Sequence, residues 1–84
     1  MKNLGPEAAT LLGAAGIETE RQLTDLGAVG AYVAVKQRGL NPSLNLLYAI
    51  EAALRGIAWT ELPYHVRGSL TLAADAYLDA VGVR

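Results

Sequence analysis

The sequence predicts an all-α fold, a single compact domain of five helices running through residues 1–84. Three observations point there. Between Ser43 and Gly56, in the stretch from Asn41 to Trp59, the chain is apolar at Leu44, Leu46, Leu47, Ala49, Ile50, Ala52, Ala53 and Leu54. The remaining positions, Asn45, Tyr48, Glu51 and Arg55, fall three or four apart and so share one side of a helix. From about Glu61 or Tyr64 to Val81 apolar and polar residues again form separate rows at helical spacing. Glycines also stand where helices of ordinary length would stop, at Gly16, Gly27, Gly39, Gly56 and Gly82.

The first helix enters through Asn3-Leu4-Gly5-Pro6. Asn3 or Gly5 satisfies free amides, Pro6 suits the first helical position, and Glu7 meets the positive helix end. Ala8, Leu11, Leu12 and Ala15 recur at helical spacing before Gly16. Gly13 weakens this helix slightly, and a close helix contact is the expected reason.

Thr19-Glu20-Arg21-Gln22 has the capping-box pattern. It starts a short second helix with Leu23 and Leu26 facing inward, stopped by Gly27. Ala28 to Arg38 is ambiguous, because the β-branched residues in Ala31–Lys36 also suit a strand. However, Val29, Tyr32, Val33 and Lys36 fit helical spacing, and a lone strand would have no partner. Lys36, Arg38 and Gly39 complete a helix C-terminus, so a third helix is expected.

Pro42 and Ser43 open the fourth helix, with Ser43 as its expected cap, and Gly56 closes it. A helix apolar on nearly every side must be surrounded by protein, so this one is expected at the centre. Thr60 is the expected cap of the last helix, with Pro63 in its first turn. That helix is expected to bury Val66, Leu70, Ala73, Tyr77 and Val81 and to expose Arg67, Thr71, Asp75 and Asp79.

Length and composition bound the function. A chain of 84 residues buries somewhat over ~60% of its unfolded surface, enough for one core without staples. Seven basic and eight acidic residues give a net charge of −1, with no overall field to gather nucleic acid or coat a membrane. There is no cysteine, hence no disulfide, thiolate nucleophile or Cys-based zinc site, which fits a reducing cytoplasm. No signal peptide is legible at the N-terminus, and the longest apolar run is shorter than a membrane span needs. A cytoplasmic protein without a cofactor is expected. An apolar-rich chain with near-zero net charge is compatible with homo-oligomer formation.

A resemblance adds to this. Asn3-Leu4-Gly5-Pro6, Leu11-Leu12, Ala15-Gly16-Ile17, Thr19, and Leu23 through Leu26-Gly27-Ala28-Val29 carry its first part, continued by Tyr32 and Lys36. Pro42-Ser43-Leu44-Asn45-Leu46-Leu47-Tyr48-Ala49, Glu51-Ala52-Ala53-Leu54, Gly56, Trp59 and Leu62-Pro63 carry the rest. Together they resemble the C-terminal domain of the TfoX (Sxy) competence regulators. The resemblance implies a helical domain related to the SAM-like and helix-hairpin-helix folds. In those regulators the domain follows an N-terminal domain, and the whole protein promotes transcription of competence genes. Here the chain starts at the motif with Met1, so a free-standing version is expected.

The candidate sites follow. Asn45, Tyr48, Glu51 and Arg55 are either an exposed stripe with an internal ion pair or a strip that binds a partner protein, using the hot-spot residue types Tyr and Arg. Trp59 joins that candidate strip, although Trp59 and Tyr64 are first expected in the core. The Leu4–Glu7 turn is similar to the hairpin that grips phosphates in helix-hairpin-helix proteins. Asn3 takes the place of its first glycine, and Glu7 that of the basic residue after proline. A nucleic-acid contact there would use Gly5 and draw on Arg21, Lys36 and Arg38; a structural turn is the favoured expectation. His65 has no second His or Cys for a transition metal, and Ser43 and Ser69 have no nucleophile signature around them. His65 and the Asp75–Asp79 pair are read as surface residues, and no catalytic set is expected. The chain is therefore expected to be a non-enzymatic interaction domain, accessory to transcriptional regulation through protein–protein contacts, with a nucleic-acid-binding module as the alternative.

Overall fold

The computed structural model describes residues 4–82. Asn3, the alternative first cap and the counterpart of the hairpin's first glycine, lies outside the described residues. Four α-helices and one 3-10 turn follow in order: α1 (Pro6–Ala14), α2 (Glu20–Gln37), α3 (Leu44–Arg55), the turn Trp59–Glu61, and α4 (Tyr64–Val81). Among the described residues there is no strand. The Cα radius of gyration is 11.7 Å, against about 12 Å for a compact chain of this length.

The five expected helices become four, because the second and third form one element, bent at Gly27. The bend has φ 74° and ψ 172°, a region essentially closed to residues with a Cβ. Gly27 therefore breaks the helical path where the sequence places a stop, and the chain resumes helical geometry at once. The ambiguous Ala31–Lys36 run is helical. Ala31, Tyr32, Val33 and Val35 are all buried, because α2 packs against α1, α3 and α4 and is covered on several sides.

That arrangement corrects the expected centre. The buried residues of α3 are Leu46, Leu47, Ile50 and Ala52, while Leu44 and Leu54 reach solvent. The surrounded helix is α2.

The ends are built as local chemistry dictates, with some substitutions of role. Gly5 is the N-cap of α1, without a side-chain bond, and Pro6 follows at the first position. After Gly16 the Ile17 amide donates to the Leu12 carbonyl at 2.9 Å, and both side chains are buried. Gly13 has no neighbour where a Cβ would stand, so no close helix contact explains it.

The capping box at α2 is complete. The Gln22 amide donates to Thr19 Oγ1 at 3.1 Å, and Gln22 Oε1 accepts from the amides of Thr19 (3.0 Å) and Glu18 (2.7 Å). Such a cap is worth about 1 kcal/mol. Leu23 is buried, but Leu26, expected inward, is 47% exposed because the Gly27 bend follows it directly. Ser43 occupies the N-cap of α3, yet its side chain makes no capping bond. Thr60 lies inside the 3-10 turn and caps nothing; Pro63 is the N-cap of α4. The turn is held by the Ala58 amide donating to Glu61 Oε2 at 3.2 Å and by buried Leu62.

The rotation of α4 also differs from expectation. Ala74 and Leu78 are its buried residues, with Val66, Arg67, Leu70 and Thr71 partly buried. Ala73, Tyr77 and Val81, expected inward, are exposed, whereas Arg67 and Thr71, expected outward, turn towards the protein. Arg67 and Thr71 find polar and aromatic partners there.

Candidate functional site

The junction of α3, the 3-10 turn and the start of α4 gathers one cation and three aromatic rings. The Arg67 guanidinium carbon lies 5.7 Å from the Tyr48 ring centroid, 5.5 Å from that of Trp59 and 5.3 Å from that of Tyr64. These are cation–π distances. Local chain geometry produces the cluster. Tyr48 projects from α3; Gly56, in a left-handed conformation, ends that helix. The turn then presents Trp59, and Pro63 starts α4 with Tyr64 and Arg67 one turn apart.

Hydrogen bonds fix the arrangement. Arg67 Nη2 donates to the Trp59 carbonyl at 3.1 Å. The Thr71 hydroxyl donates to the Arg67 carbonyl at 2.9 Å. Its single proton is thereby used, so the Tyr48 hydroxyl, 3.0 Å from Thr71 Oγ1, is the donor to it. Arg67 Nε is buried and has no hydrogen-bond partner. No carboxylate lies within ion-pair distance of Arg67 among the described residues.

Exposure makes this a surface site. Trp59 is 52% exposed and Tyr64 87%, which corrects the expectation that both belong to the core. The turn ends α3 early and carries the two rings past the edge of the core, where Leu62 is the residue that goes inside.

The expected strip divides three ways. Tyr48 joins Trp59 in the aromatic cluster. Glu51 and Arg55 pair with each other, Arg55 Nε donating to Glu51 Oε2 at 2.6 Å. Asn45 lines a separate hollow of about 450 Å³ between the starts of α1 and α3, with Gly5, Glu7, Pro42, Ser43 and Leu46 among its walls. Tyr64 and Arg67 were not among the expected site residues. A Trp, a Tyr and an Arg within nine residues, at positions 59, 64 and 67, was the available signal.

Of the basic residues considered for nucleic acid, none lines the hollow that holds Gly5. Glu7 is the one charged residue lining the hollow beside Gly5. Arg38 Nη2 would lie 3.8 Å from a Cβ at Gly16, which places it by the loop after α1 and not by the turn before it. The Lys36 ammonium sits 5.6 Å from the Tyr32 centroid, and Arg21 is exposed on the first turn of α2. Arg67 belongs to the aromatic cluster. His65, Asp75 and Asp79 are exposed, and among the described residues no three His, Asp or Glu side chains converge as metal ligands. No described helix is long and apolar enough to cross a membrane.

Comparison with known proteins gives one match: the family model described as the TfoX C-terminal domain fits residues 1–74. No curated protein and no solved structure matches the chain.

Proposed function

The chain belongs to the TfoX C-terminal domain family, a regulatory rather than catalytic domain associated with competence regulation, and on that premise we propose that it is a helical interaction domain acting through protein–protein contacts in the cytoplasm. The observation that carries this proposal is the exposure of Trp59 and Tyr64 beside Arg67. Trp, Tyr and Arg are the residue types that dominate binding energy at protein interfaces. A chain with nothing to bind gains little by holding two large rings at its surface. The lack of cysteine supports a cytoplasmic setting. The finer kinship with SAM-like and helix-hairpin-helix domains is part of the same proposal; the Leu4-Gly5-Pro6 entry into a short first helix supports it.

The test is capture of a partner from the native host with the tagged chain, then titration of the purified partner by calorimetry. A micromolar or tighter complex, weakened at least ~10-fold by Trp59→Ala, is the expected result; each factor of ten is about 1.4 kcal/mol. Absence of any partner at micromolar concentrations refutes the proposal. A second copy of the chain would appear in the same experiment as a concentration-dependent change in mass.

A further inference from the structure

The Arg67 cluster also indicates what chemistry it accepts, and this inference rests on the interaction-domain function just proposed. A guanidinium offers five N–H donors in one plane. At Arg67, Nη2 uses one on the Trp59 carbonyl, and Nε is buried without an acceptor. The rings of Tyr48, Trp59 and Tyr64 attract the positive charge, but they do not supply in-plane oxygen acceptors. The neighbouring arginine is different: Arg55 has its own carboxylate, Glu51, at 2.6 Å. Arg67 is thus a partly buried cation, held in one orientation, with no anion among the described residues. Its donors on the Nη1 side have no acceptor among the described residues.

We propose that the Trp59–Tyr64–Arg67 surface docks a partner-protein segment carrying a carboxylate flanked by apolar side chains. The carboxylate accepts from the outer donors of Arg67, the planar fork matching its two oxygens. The flanking apolar groups cover Trp59 and Tyr64, and in doing so remove water from the ion pair and strengthen it. A free cationic ligand is disfavoured because Arg67 already stands among the rings. Single-stranded nucleic acid, which also stacks on aromatics, is disfavoured by the charge around the site. Glu51 and Glu61 lie on the elements that carry Tyr48 and Trp59, and the chain as a whole is at −1, whereas a polyanion requires a track of cations.

Trp59 is the only tryptophan, so its fluorescence reports on the site directly. The probe is a capped pentapeptide, Ala-Leu-Glu-Leu-Ala, titrated against the whole chain beside its Gln counterpart and an oligothymidylate. The expected result is a saturable change with the Glu peptide and at least ~10-fold weaker binding of the Gln peptide. Arg67→Gln should abolish the response. Tyr64→Ala, at a ring too exposed to matter for folding, should weaken it several-fold with the circular dichroism spectrum unchanged.

Equal binding of the Glu and Gln peptides overturns the proposal. So does the absence of a saturable change in a folded protein, or binding of the oligothymidylate in place of the Glu peptide. The two proposals fail separately. A host partner captured equally well by wild type and Arg67→Gln overturns the carboxylate site and leaves the interaction domain standing. A Glu peptide bound through Arg67, with no host protein captured, upholds the site and removes the interaction-domain function.

Discussion

The Tyr48 hydroxyl donates to Thr71 Oγ1 across 3.0 Å, tying α3 to α4 beside the aromatic cluster. Thr71 in turn donates to the Arg67 carbonyl, so one chain of bonds runs from α3 into the turn of α4 that carries the guanidinium. Tyr48→Phe keeps the ring against Arg67 and removes only the hydroxyl. A hydrogen bond of this kind contributes about 1 kcal/mol, and the group left behind, Thr71, can turn to water at this partly buried position. The melting temperature should fall by roughly 4–8 °C for that loss in a chain of this size. Calorimetric scans of the two proteins check it, and coincident transitions would show that the bond contributes nothing.

Gly27 is required for its backbone angles and not for space. Nothing stands within 4 Å of a Cβ built there, yet φ is 74° and ψ 172°. Gly27→Ala should therefore destabilise by about 1–3 kcal/mol through strain alone. D-alanine at the same position, in a chemically synthesised chain, adopts these angles without strain and should match or exceed the wild type. Urea midpoints for the three proteins decide it. Equal loss with both enantiomers would mean that packing, and not conformation, is responsible.

Thr19→Ala removes the acceptor for the Gln22 amide, while the backbone amides of Glu18 and Thr19 still donate to Gln22 Oε1. The expected loss is about 1 kcal/mol. Thr19→Ser should restore most of it. A denaturant series that ranks serine with alanine would contradict the capping role.

The Glu51–Arg55 pair lies on the surface, with side chains 20% and 44% exposed. Its favourable order along the helix is worth only about 0.3–0.5 kcal/mol, and less in high salt. Glu51→Gln should barely move the melting temperature in 0.5 M salt, where the Debye length is about 4 Å. By contrast, Leu47→Ala, at a fully buried position of the same helix, should cost roughly 2–5 kcal/mol. Thermal melts of both variants at two salt concentrations separate the contributions; a Glu51→Gln effect rivalling that of Leu47→Ala would overturn the ranking.

What could be inferred from the sequence was mainly local. The Thr19–Gln22 cap, the break at Gly27 and the stops at Gly39, Gly56 and Gly82 depend on a few adjacent residues, and they stand where the residue types put them. Rotation of a helix about its axis was harder to infer. In α4, alanines and leucines occupy more than one face, so the apolar pattern admits both the 66–70–73–77 row and a 70–74–78 row that turns Arg67 towards the protein. Contacts with Tyr48 and Trp59, distant in sequence, select the second. The same blindness placed Trp59 and Tyr64 inside: aromatic size argues for burial, but the early end of α3 carries them out. Asn45, Tyr48, Glu51 and Arg55 share a side of α3, yet they meet different surroundings along its length.

The position of α2 has a consequence for how the chain comes apart. Each of the other three helices rests on it, so releasing any one uncovers part of its flank. The buried side chains of the described residues form one hydrophobic cluster. Unfolding is therefore expected to be all-or-none, with the amides of Ala31, Tyr32, Val33 and Val35 exchanging with solvent only when the whole chain opens. Their exchange free energies should equal the global value from denaturant unfolding, and a backbone cut at Gly39 should leave two fragments that are separately unstructured.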